Sequence, residues 1–111
     1  MQTLILKPFI AFLLTFFLIT HVEADQDDAN AIIEATSQYL KVQTGVTDAL
    51  VKVHKISGNY ACVILTSPSG QTDPAEGYLK KGNGRWKVLI IGTDFSTEDF
   101  NDLGIPGSVR N

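Results

Sequence analysis

The side chains able to do covalent chemistry are few. Between Asp25 and Asn111 there is one histidine, His54, and one cysteine, Cys62. A thiol becomes a nucleophile when a neighbouring base lowers its pKa or takes its proton. If the segments around these residues form a hairpin with the three-residue loop Ser57-Gly58-Asn59, His54 and Cys62 become cross-strand neighbours. A small enzyme built on that pair is one reading. Against it, a pair on an open sheet face has neither a cleft nor an oxyanion hole. The plainer reading of Cys62 is a small apolar residue buried in a strand. One His and one Cys cannot close a zinc site within one chain. Asp94, Glu98, Asp99 and Asp102 are oxygen donors at close spacing but follow no calcium-loop pattern. Early in a short helix such acids complement the dipole. Gly82-Asn83-Gly84 lies between strand-like runs rather than before a helix, which is not the setting of a phosphate loop. These residues therefore assign no catalytic group, no metal and no cofactor.

The compartment is read from the first residues. Lys7 gives the start of the chain a positive charge, Phe9–Ile19 is uncharged and apolar but for Thr15, and Val22-Glu23-Ala24 places small or β-branched residues at the −3 and −1 positions of a cut. This is the order of a cleavable signal peptide, and the apolar run falls well short of the roughly 20 residues of a membrane span. The expected organisation is a leader over residues 1–24 and one small α+β domain over 25–111, exported to a periplasm or beyond. Once the leader is cut, no membrane association is expected. Removing Lys7 and Glu23 with the leader leaves the net charge at −3. No basic run is present, so nucleic acid is not an expected partner. A solitary cysteine cannot form an internal disulfide, so the core must hold this domain unaided. The mature segment has no Asn-x-Ser/Thr glycosylation acceptor, which fits a bacterial protein.

Periodicity supplies the elements that must position these residues. Ala29, Ile32, Ile33, Thr36 and Leu40 follow helical spacing, with Asp27 or Asp28 as a cap and Gly45 as a stop. This predicts one helix over about 28–43. The period then shortens. Thr47–Ile56, Tyr60–Ser67, Ala75–Lys81 and Arg85–Thr93 read as four strands. Asn83-Gly84 is a strong two-residue hairpin signal. It predicts Lys81 opposite Trp86, Lys80 opposite Lys87, Leu79 opposite Val88, Tyr78 opposite Leu89 and Gly77 opposite Ile90. In the first hairpin the two arguments conflict. Turn chemistry favours a two-residue Gly58-Asn59 turn, with His54 against Val63. The apolar pattern favours a three-residue loop, with His54 against Cys62, and is the stronger constraint because a one-residue slip turns a core face outward. Ser96, with Asp99 three residues on, reads as the capping box of a short last helix. The expected fold is α+β: a helix on a four-stranded antiparallel sheet, in the order α-β-β-β-β, followed by that short helix.

Gly84-Arg85-Trp86-Lys87-Val88, Gly92-Thr93-Asp94-Phe95 and Leu103-Gly104-Ile105-Pro106 resemble a C-terminal pattern of small exported bacterial proteins with cystatin-like architecture. The resemblance covers most of residues 25–111 in architecture and about 84–106 in residues. It implies a helix laid across a curved sheet. Cystatins inhibit cysteine proteases through a Gln-x-Val-x-Gly hairpin loop. The first hairpin here carries Ser57-Gly58-Asn59 instead, so that activity is not carried over.

A helix covers only one face of a sheet. The other face is expected to present Leu50, Ile56, Tyr60, Ile64, Tyr78, Leu89 and Ile91 among Lys52, His54, Lys80 and Lys87. Apolar patches of that size mark partners. The competing expectation is that Phe95, Phe100, Ile105 and Val109 of the tail cover it. The reading that follows is a non-catalytic binding or accessory protein. Its partner would be an envelope or secreted protein, or a second copy. Inhibition of a secreted hydrolase is an alternative.

Overall fold

The computed structural model describes residues 26–70 and 73–111. The leader expected over residues 1–24 lies outside the described residues. Helix α1 runs over residues 26–44. Ile32, Thr36 and Leu40, four apart, are its buried stripe. The Thr36 hydroxyl is satisfied inside that stripe, donating to the Ile32 carbonyl at 2.8 Å. Gly45, at φ 76°, ends the helix and returns its N–H to the Lys41 carbonyl. Asp27 and Asp28 lie inside the helix rather than capping it.

Strands β1 (Leu50–Ser57), β2 (Tyr60–Thr66), β3 (Ala75–Gly82) and β4 (Arg85–Gly92) form one antiparallel meander in the order β1-β2-β3-β4. The expected fold class is the observed one. Asn83 and Gly84 both adopt positive φ, 53° and 75°, as a tight hairpin turn requires. Next to that turn Lys81 pairs with Trp86, Lys80 with Lys87 and Leu79 with Val88, as the turn chemistry predicts. Beyond Leu79 the register shifts: Tyr78 faces Ile90 and Gly77 faces Ile91, not Leu89 and Ile90. Leu89 is the extra residue of a β-bulge. A bulge puts two consecutive residues opposite one. Leu89 and Ile90 both pack away from α1, whereas Ile91 returns to the helix side.

The first hairpin resolves its conflict in the same way. Ser57 pairs with Tyr60 across a two-residue Gly58-Asn59 turn, and Lys55 pairs with Cys62. A bulge at His54 then moves the register by one, so Val53 faces Val63 and Val51 faces Leu65. The turn chemistry is satisfied at the tip and the apolar pattern is satisfied further out. The expected His54–Cys62 pairing is corrected, because Lys55 takes that place.

The sheet is a partition between two cores. On the α1 side Ile32 and Leu40 pack with Ala61, Val63, Leu65, Leu79, Trp86 and Val88. Gly77 makes room in that layer: a Cβ there would stand 2.8 Å from the Val63 Cγ2 atom and 3.3 Å from Ile91 Cγ1. Gly77→Ala is expected to cost about 1–3 kcal/mol through overpacking. Urea unfolding checks it, and an unchanged midpoint would contradict it.

The second core lies on the other face. Ser96 caps α2 (Thr97–Leu103), with the complete capping box to Asp99, and Gly104 ends it at φ 69°. The chain then lays Ile105 and Val109 over Cys62 and Tyr78, with Phe95 and Phe100 alongside. Polar contacts fasten this segment to β1. The Ser57 and Ser108 hydroxyls are 2.9 Å apart, and Lys55 Nζ donates to the Arg110 carbonyl at 3.0 Å. Arg110 in turn donates to the Ile105 carbonyl at 2.7 Å and lies over the Phe100 ring.

Candidate functional site

The C-terminal segment divides the face expected to be open. Tyr78 lies beneath it with no solvent exposure, in edge-on contact with Phe95 and Phe100. Its hydroxyl donates to Glu76 at 2.7 Å and accepts from the Asn111 main chain at 3.2 Å. Burial, and hydrogen bonding to the Glu76 carboxylate, hold the phenol well above its usual pKa. Ile91 belongs to the α1-side core, and Ile56 stands opposite Ala61 of that core. Neither is on the expected face. Leu50 is 58% exposed, with Lys52 also exposed and Ile64 half-buried near it at one end of the sheet. Tyr60 and Leu89 lie half-buried at the margin of the second core.

His54 is exposed at its bulge, whereas Cys62 is fully buried opposite Lys55. Burial raises the Cys62 thiol pKa, which favours the unreactive protonated form. The two residues singled out for nucleophilic chemistry are not assembled into a catalytic pair.

What the fold does assemble is a basic hollow beside the second hairpin. Lys80 and Lys87 are cross-strand partners, and Arg85, two residues from Lys87, shares their face by strand alternation. With Leu89 and Trp86 they line a hollow of about 480 Å³. Lys80 Nζ also lies 5.6 Å from the Tyr60 ring centroid. Among the described residues, no carboxylate lies within ion-pair distance of these three cations. Lys81, on the opposite face, differs: its Nζ is 2.9 Å from Asp28 Oδ1, which also accepts from Trp86 Nε1 at 3.2 Å. These bonds hold the Asp28 carboxyl below its usual pKa.

The sequence reading placed Lys80 and Lys87 on this border but missed Arg85. The period-two spacing of Arg85 and Lys87 was the available signal. The hollow suits an anionic group: three cations gather near an apolar wall, in a chain whose overall charge is negative. On the other side of the same strand, Ala35, Gln38, Tyr39 and Val42 of α1 form a shallow groove with Trp86 and Val88. Comparisons with protein-family models, curated proteins and solved structures return no match.

Proposed function

We propose that this chain is a small exported binding protein that captures an acidic envelope or secreted protein through the basic end of its sheet face. The observation that carries the reading is the hollow of Lys80, Arg85 and Lys87 around Leu89, with no acid partner among the described residues. Cations gathered on one face attract a partner's carboxylates, and the apolar wall adds desolvated contact. Export rests on the leader read in Met1–Ala24, and a cystatin-like relationship rests on the residue pattern over 84–106. Inhibition of a secreted hydrolase is the same mode of action with an enzyme as the partner. The reading as an enzyme has no support from the placement of His54 and Cys62.

The test uses the exported protein and its Lys80→Glu/Lys87→Glu variant as baits in envelope and secreted fractions. Both lysines are exposed, so the melting midpoint should move little. The wild type should retain a discrete acidic partner that salt releases. The variant should retain it at least about tenfold less well, a loss of roughly 1.4 kcal/mol or more. Equal retention by a folded variant contradicts the proposal.

A further inference from the structure

We infer that the partner engages as an extended acidic strand, added antiparallel to the outer edge of β4. This rests on the proposed acid-binding function of the hollow. β4 is the last strand of the sheet, and no described strand pairs with its outer side. Gly82 and Arg85 flank a two-residue turn and so form a hydrogen-bonded pair. Alternation from that pair directs the N–H and C=O groups of Trp86 and Val88 toward the free edge. Such a row of main-chain groups is a template for another strand.

The two sides of this edge differ in chemistry. On one side lie Arg85 and Lys87 of the basic hollow. On the other lies the α1 groove, where Tyr39 is 36% and Val42 67% exposed. A strand sends successive side chains to opposite faces. The matching segment therefore alternates acidic and apolar residues, acids toward Lys87 and apolar side chains toward Val42. A second copy is a poorer occupant. Twofold pairing of β4 with itself keeps the basic faces of both copies on the same side of the joined sheet. Centred on Lys87, it would also set two lysines opposite each other, which is unfavourable.

The pairing makes a specific chemical prediction. Residues opposite Trp86 and Val88 share their face, so they are the apolar residues of the added strand, and their N–H groups point at β4. The probe is acetyl-(Val-Glu)4-amide, titrated into the exported protein. Binding is followed by the emission of Trp86, the only tryptophan, and by amide hydrogen exchange. The peptide should slow exchange at Trp86 and Val88 at least tenfold. N-methylation of its valines should weaken binding at least tenfold, whereas N-methylation of its glutamates should leave it nearly unchanged. The Lys87→Glu variant should bind at least tenfold less well, and acetyl-(Val-Lys)4-amide should not bind. If the N-methylvaline peptide binds as well as the parent, strand addition is overturned while the acid-binding hollow stands. If the lysine peptide binds equally, the hollow reading itself fails. If the free protein sediments as a dimer with Trp86 and Val88 already protected, a second copy occupies the edge and the inference is overturned.

Discussion

Tyr78→Ala is expected to detach the C-terminal segment from the sheet and to destabilise the domain by about 3–5 kcal/mol. Among the described residues Tyr78 is the largest side chain that is fully buried. It is the floor on which Ile105 and Val109 rest and the common neighbour of Phe95 and Phe100. Removing the ring deletes its transfer free energy, leaves a cavity, and takes away the shared member of two edge-on aromatic pairs. It also deprives Glu76 and the Asn111 main chain of a partner. For a domain of this length the total stability is about 4–13 kcal/mol, so the loss is a large fraction of it. Urea unfolding followed by circular dichroism gives the magnitude, and limited proteolysis between Gly104 and Arg110 reports release of the segment. Tyr78→Phe keeps the packing and should cost about 1–3 kcal/mol through the hydrogen bonds alone. An alanine variant with an unchanged midpoint and a protected tail would show that the second core does not hold the segment. Leu89 packs against the same cluster. A charge placed there tests this core as much as it tests binding, which is why the lysines are the better probes of function.

Trp86→Ala is expected to cost a similar amount, about 3–5 kcal/mol, on the opposite side of the sheet. Trp86 is 8% exposed and packs in the cluster with Ile32, Leu40 and Val88. Its indole N–H also joins Asp28 of α1, together with Lys81, so one side chain ties helix to sheet by packing and by a charge-assisted hydrogen bond. Trp86→Phe retains much of the packing but breaks the bond to Asp28. It should lie well below the alanine variant in cost. The chain has no other tryptophan, so the comparison requires circular dichroism or calorimetry. Equal midpoints for wild type and alanine variant would contradict the assignment of Trp86 to the core.

The second hairpin shows how far local rules reach. Asn83-Gly84 determined three cross-strand pairs correctly, because a two-residue turn sets the register of the residues beside it. It could not determine the fourth. Ile91 sits opposite Gly77, where the missing side chain makes room in the helix-side core for Val63 and Ile91. That space belongs to three strands at once, and a hairpin rule sees only two. Trp86 and Val88 therefore face α1, while Ile90 packs in the second core and Ile91 takes the helix-side position. In the first hairpin the conflict between turn and pattern was itself the sign of a bulge. Turn chemistry sets the pairing from Ser57 to Lys55, and the apolar pattern sets it from Val53 outward. The extra residue, His54, absorbed the difference, and in doing so it gave up the place opposite Cys62.

The sequence by itself determined the α+β class, the helix, the four strands and the capped last helix. Each depends on side-chain period, turn residues or capping groups within a few positions of one another. It also determined the poverty of catalytic groups and the presence of lysines beside an apolar face. Whether that face stayed open was decided only in three dimensions. Covering it depends on where a segment beyond α2 comes to rest relative to Tyr78, more than twenty positions earlier in the chain. Ile105 and Val109 gain burial there, and Lys55 and Ser57 hold the segment from β1. The same event left the basic end uncovered, with Lys80, Arg85 and Lys87 exposed there and Leu50 and Lys52 exposed at the other end, and so divided a face that the residue pattern alone draws as one continuous surface.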